Sequence, residues 1–275
     1  QDLLPQQFQV FGLARTEMTS QGFRQEVMEH LTCRYTPQAS CGQRMEEFLA
    51  RCHYVAGQYD SADSFLDLYG AMRGFEGDGK ANRLFYMAIP PFLFLPVAQS
   101  IGDAGLVSCD GKMGWSRVVI EKPFGHDRAS SDELVDRMGQ VFTEEQTYRI
   151  DHYLGKEVIQ NLLVLRFANI VFSPMWNNEH IESVSISWKE DIGVEDRGGY
   201  FDGYGILRDV MQNHLLQILA LVAMEQPRSL NAHDVRNEKV RVIRHIAPLN
   251  LDHLVIGQYG VGVHKGREHC AYTAE

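Results

Sequence analysis

The sequence predicts an α/β protein: a parallel sheet flanked by helices over residues 1–150, then part of an α+β domain with an antiparallel sheet over 151–275. Three observations carry this. Short apolar runs at 84–89 and 118–120 are stopped by Pro90-Pro91 and by Pro123, as strands buried on both faces are. These runs alternate with segments of helical apolar spacing, which is the order of a parallel α/β sheet. After about residue 151 the pattern changes, and Ser183-Val184-Ser185-Ile186-Ser187-Trp188 alternates polar and apolar, as a half-exposed antiparallel strand does.

Taken in order, residues 8–13 read as a buried strand. A helix follows, with Phe23, Val27 and Leu31 four apart on one face. Met45, Phe48 and Leu49 mark a second helix, and Phe65, Leu66, Tyr69 and Met72 a third. Residues 84–89 are expected to form a strand covered on both faces, and 118–120 another. Ser131 is expected to cap a helix reaching Met138. A helix is expected from about Glu157 to Ala168, with Val158, Leu162 and Leu165 on its face. Arg197-Gly198-Gly199 reads as a turn before a long helix over about 206–225, closed by Pro227. A further helix begins near Asn231. No internal repeat or low-complexity segment is visible.

The chain has 275 residues, 44% of them hydrophobic and 23% charged, with a formal net charge of -10. That balance is ordinary for a globular protein. So acidic a surface argues against nucleic-acid or membrane-surface partners, and an anionic ligand must be held by a local group of cations. The apolar run at 215–224 is far too short to span a bilayer. No signal or transit peptide is visible, and a start at Gln1 without Met is expected to be a chain whose beginning lies upstream.

Five cysteines, with no Cys-x-x-Cys and no zinc-type Cys/His spacing, exclude a disulfide scaffold and give no expectation of a metal site. Cys33 and Cys41 are the close pair. They read either as two free thiols or as partners. No Gly-x-Gly-x-x-Gly follows the first strand. Gly257-Gln258-Tyr259-Gly260-Val261-Gly262 has the wrong spacing and reads as a turn. There is no P-loop.

Three clusters carry chemistry. Glu121-Lys122-Pro123-Phe124-Gly125 puts a lysine at the C-terminal end of an expected parallel strand, the edge where open α/β sheets bind ligands. A Lys-Pro there can also be purely structural. Arg149-Ile150-Asp151-His152-Tyr153-Leu154-Gly155-Lys156-Glu157 gathers acids, cations, a histidine and a tyrosine just before a helix. That suits a phosphate, and it equally suits a capped helix start with solvated charges. In Arg208-Asp209-Val210-Met211-Gln212-Asn213-His214 a histidine sits on an otherwise apolar helix. It is either a satisfied core residue or a base, and a base needs a carboxylate to orient it and a hydroxyl within reach.

Residues 149–157 resemble the signature of the glucose-6-phosphate dehydrogenase family. So do Glu121 to Gly125, Gly198-Gly199-Tyr200-Phe201-Asp202, and Asp209 through Gln217. The resemblance runs from about Phe8 to Gly260, and beyond Val261 the sequence is expected to leave the family. The resemblance implies a Rossmann-like domain over 1–150 that lacks its first strand and Gly-rich turn, and a substrate domain over 151–275 that lacks its C-terminal part. It implies oxidation of glucose 6-phosphate at C1 to 6-phosphoglucono-1,5-lactone, with NADP as coenzyme.

By the same resemblance His214 matches the base and Asp151 the carboxylate that orients it. His152, Tyr153 and Lys156 match residues that grip the sugar phosphate. Glu190 and Asp209 match carboxylates that accept from sugar hydroxyls. Lys122 matches the lysine that serves both coenzyme and substrate, followed in the family by a cis-proline. Arg15 matches the arginine that pairs with the 2′-phosphate of NADP. Cys33 and Cys41 match the regulatory pair of plastid-type members, with thioredoxin as its partner, and closing so short a loop would restrain the chain by roughly 2–3 kcal/mol. A plastid (chloroplast stroma) location follows, with the cytoplasm as the alternative, and a homo-oligomer when full length. The competing expectations are another Glu-Lys-Pro sugar oxidoreductase, and an inactive fragment that senses redox state or binds full-length subunits. With the coenzyme's diphosphate cradle upstream of Gln1, the fragment itself is expected to bind NADP poorly.

Overall fold

The computed structural model describes residues 4–32, 38–77, 81–107, 114–190, 192–264 and 266–274. The chain divides into two compact units, Gln1–Ile150 and Asp151–Glu275.

In the first unit strands and helices alternate. The order is β1 (Val10–Ala14), α1 (Ser20–His30), α2 (Gln38–Leu49), β2 (Cys52–Ala56), α3 (Ala62–Glu76), β3 (Arg83–Met87), α4 (Phe94–Asp103), β4 (Ser116–Ile120), α5 (Arg128–Met138) and β5 (Thr147–Arg149). Every ladder here is parallel, so each connection must cross over the sheet, and the helices supply the crossovers. β1 pairs with β2 from Val10↔Cys52 to Ala14↔Ala56, while β3, β4 and β5 form a separate three-stranded piece. Among the described residues the two pieces share no ladder.

The core packs α3 and α4 onto β4: Phe65, Leu68, Phe94, Val97, Ile101, Val118 and Ile120 are all buried in one cluster. α4 was not expected, because Pro90-Pro91 reads as the stop after β3. Pro91 instead sits in a 3-10 turn that opens α4, where a missing N–H costs nothing.

Two expectations are corrected here. β3 is covered on one face, not both: Leu84 and Tyr86 are 57% and 54% exposed, whereas Val118, Val119 and Ile120 of β4 are all buried. An apolar run shows that a strand tolerates burial, but the helices decide which face is covered. Ser131 is not the cap of α5. The helix starts at Arg128, and the Asp127 carboxylate accepts from Ser130 N–H at 2.9 Å while Ser130 Oγ accepts from Asp127 N–H at 3.1 Å.

The second unit opens with a 3-10 turn, His152–Gly155, followed by α6 (Glu157–Phe167), α7 (Gly198–Ile206), a π-helical segment Leu207–Leu215, α8 (Leu216–Ala223) and α9 (Ala232–His245). β6 (Gly262–His264) then pairs antiparallel with β7 (Arg267–His269). The expected turn at Arg197–Gly199 is already helical from Gly198, and the expected long helix is segmented. Gly205, inside α7, leaves helical geometry at φ 69° and kinks the chain just before the π-helical segment.

Residues 183–188 form no strand, although their alternation is sound. Alternation assigns faces, but a ladder needs a second backbone alongside, and among the described residues no strand pairs with 183–188. The antiparallel pair lies instead at 262–269, a tail the sequence reading left without an account. Among the described residues no helix is long and apolar enough to cross a membrane.

Candidate active site

Asp151 is the N-cap of the 3-10 turn that follows β5. Its Oδ1 accepts the Tyr153 N–H at 3.0 Å. The same oxygen lies 2.5 Å from His214 Nδ1, which the π-helical segment brings from 63 residues away. Both groups are dry: the side chains of His214 and Asp151 are 2% and 12% exposed. A carboxylate oxygen only accepts, so Nδ1 carries a proton, and in the neutral ring that leaves Nε2 as the unprotonated acceptor. A buried imidazole in this tautomer, oriented by a carboxylate, is equipped to take a proton.

Around this pair stand the other residues of the 149–157 cluster. The Tyr153 ring stacks on His214 at 4.2 Å, and His152 lies edge-on to both rings. Lys156 Nζ sits 3.8 Å over the Tyr153 ring. His152 and Lys156 are exposed. One turn of chain therefore sets an ammonium, an imidazole and a phenol beside the base. Asp151, His152 and His214 also bring ligand-type atoms within 4.8 Å of one another, an arrangement a divalent cation could use. The hydrogen bond between Nδ1 and Oδ1 already assigns two of those groups to each other.

Glu190 and Asp209 line a second feature, a cavity of about 230 Å³ shared with Trp188, Arg197 and Phe201. Asp209 is 8% exposed. Its Oδ1 accepts from Tyr200 Oη at 3.0 Å, and Arg197 approaches Oδ2 at 3.8 Å. Burial, then the bond to Asp209, pushes the Tyr200 phenol well above its ordinary value. Trp188 joins the two features, its Nε1–H donating to Tyr153 Oη. Sequence reasoning passed over Trp188, Arg197 and Tyr200 as site residues. Tyr200 lies inside a quoted motif, but an aromatic in a Gly-rich stretch carries no sign of which acid it will hold.

Arg15 and Lys122 belong to the first unit. Arg15 is exposed directly after β1, over the Tyr59 ring at 5.6 Å, and Lys122 follows the end of β4 with a cis bond to Pro123. Each therefore lies at the C-terminal end of a parallel strand. Cys41 is buried and disulfide-bonded, and Cys33 lies outside the described residues. Cys52 and Cys270 are free thiols.

Comparison with known proteins gives matches along the whole chain. Residues 1–161 match the family model "Glucose-6-phosphate dehydrogenase, NAD binding domain", and 163–275 match "Glucose-6-phosphate dehydrogenase, C-terminal domain". The second match reaches residue 275, which corrects the expectation that the resemblance ends near Gly260. The chain is 49% identical over 270 residues to the chloroplastic glucose-6-phosphate 1-dehydrogenase 1 of Arabidopsis thaliana, covering 98% of this chain and 46% of that protein. It is 51% identical over 262 residues to the Dictyostelium discoideum glucose-6-phosphate 1-dehydrogenase, covering 94% and 50%. A solved glucose-6-phosphate dehydrogenase in complex with glucose 6-phosphate superposes with TM-score 0.86 at 40% identity, covering 97% of this chain and 54% of that one. The chain spans about half the length of the curated relatives it matches.

Proposed function

The chain belongs to the glucose-6-phosphate dehydrogenase family, and on that premise we propose that it serves the oxidation of glucose 6-phosphate at C1 to 6-phosphoglucono-1,5-lactone with NADP. What carries the reading is the buried 2.5 Å contact between His214 Nδ1 and Asp151 Oδ1. His214 Nε2 takes the C1 hydroxyl proton, and the Asp151 carboxylate balances the imidazolium as it forms. The C1 hydrogen leaves with its electron pair as the C1 carbonyl forms. NADP, when bound, accepts that hydride.

Lys156, His152 and Tyr153 supply charge-assisted donors to the phosphate, which a protein of net charge -10 needs locally. Glu190 and Asp209 accept from sugar hydroxyls. Arg15, an exposed guanidinium at a strand end, suits the 2′-phosphate and favours NADP over NAD. Lys122 serves the coenzyme and the sugar phosphate. Cys33 and Cys41 form a redox pair open to thioredoxin, and the chloroplastic relatives favour a plastid location. The longer protein assembles as a homo-oligomer.

The test is NADPH absorbance at saturating glucose 6-phosphate and NADP, alongside calorimetric titration of glucose 6-phosphate alone. His214→Asn and Asp151→Asn should lower turnover by ~10²–10⁴-fold, the range of a positioned base. Lys156→Ala should weaken binding of the sugar phosphate. A wild-type chain that neither binds glucose 6-phosphate nor reduces NADP would overturn the proposal.

A further inference from the structure

One half of Asp151 is unaccounted for by the proposed chemistry. Oδ1 takes both hydrogen bonds described above, whereas Oδ2 is fully buried with no hydrogen-bond partner among the described residues. A buried carboxylate oxygen in that state needs compensation from a nearby positive charge. The second unit holds a half-buried cation outside the proposed machinery. Lys239 of α9 lines a cavity of about 170 Å³ together with Leu154, Leu163 and Leu221. Leu154 closes the turn that Asp151 caps, its N–H bonding to Asp151 O at 3.0 Å. Lys239 Nζ donates to Gln217 Oε1 at 3.0 Å, and Gln217 lies three residues past His214 on the same run of helix.

We propose that Lys239 is a positioning residue for the Asp151–His214 pair. Its ammonium, anchored on Gln217, supplies the counter-charge to the Asp151 carboxylate and ties α9 to the helix that carries the histidine. Two further features agree with this. Burial pulls the Lys239 ammonium below its ordinary value, and the Asp151 charge pulls it back up. The cavity around Lys239 is lined chiefly by apolar side chains, where a charge interaction is screened less than at the surface. Lys156 and Lys122 face a ligand in the proposed chemistry. Lys239 would act only through the carboxylate behind the base.

This inference rests on His214 and Asp151 forming the base pair of the proposed function, so its test reads the pair directly as well as turnover. The imidazole N–H held against Asp151 should give a far-downfield proton resonance, assigned by its loss in His214→Asn. Lys239→Met should shift that resonance upfield or broaden it, and Lys239→Arg should restore it. In turnover, Lys239→Met should lower kcat about tenfold with KM for glucose 6-phosphate unchanged, the scale on which outer partners of a functional histidine act. Should Lys239→Met fail to fold, Gln217→Leu tests the same anchor with the ammonium retained, and should move the resonance in the same direction. An unmoved resonance in folded Lys239→Met, or a loss that Lys239→Arg does not rescue, overturns the inference while leaving the base pair standing. Absence of the resonance from the wild-type protein overturns both.

Discussion

Arg166 shows how much one side chain can be asked to satisfy. It is buried on α6. Its Nη1 donates to Leu221 O at 2.6 Å and its Nη2 to Met224 O at 2.7 Å, while the guanidinium packs over the Phe167 and Trp176 rings. Trp176 Nε1 donates to Val222 O at 2.8 Å beside it. The last carbonyls of a helix have no partner within it, and a cation there also opposes the helix dipole. Arg166 and Trp176 therefore close α8, the helix that continues the His214 segment. Arg166→Met should lower stability by about 1.5–3 kcal/mol, since it removes charged donors from buried acceptors. Arg166→Lys should fall between, because an ammonium cannot reproduce the two-pronged geometry. Urea midpoints at constant slope would measure both, and no change in Arg166→Met would rule this account out.

At the scale of the element, the turn from β4 into α5 is specified by local chemistry. Gly125 holds φ 95°, and a Cβ there would stand 2.6 Å from the Ser131 nitrogen, so both conformation and space demand glycine. Asp127 and Ser130 then satisfy each other's backbone donors. Asp127→Ala should cost ~1 kcal/mol, the usual worth of an N-cap. Gly125→Ala should cost more, since strain and a backbone clash add. Thermal unfolding that ranked the two variants the other way would contradict this reading. The cap was misplaced in the sequence reading because Ser131 and Asp127 are both good capping residues. The reciprocal Asp127–Ser130 bonds place the cap at Asp127. β3 and the 183–188 segment teach the same lesson. Their residue patterns are honest statements about faces, but coverage and pairing come from other parts of the chain.

At the scale of the molecule, Cys41 is disulfide-bonded, and the proposed redox pairing with Cys33 can be tested directly. If Cys33 is its partner, mild oxidation should consume two thiols in the wild-type protein and none of that pair in Cys33→Ser. Thiol counting by a chromogenic disulfide reagent would read this, and equal losses in both proteins would end the idea. The pair would then link the segment after α1 to α2.

By itself the sequence determined the alternation of strands and helices, the change of pattern near residue 151, and which short segments hold reactive side chains. These are local properties, set by apolar periodicity and by residue type within a few positions. Tertiary structure alone decided that Asp151 meets His214 across 63 residues, that Trp188 reaches Tyr153, and that Lys239 reaches Gln217. Such meetings depend on how helices pack and which face each buries. That packing is a sum of many weak contacts over the whole chain, which no short stretch of residues records.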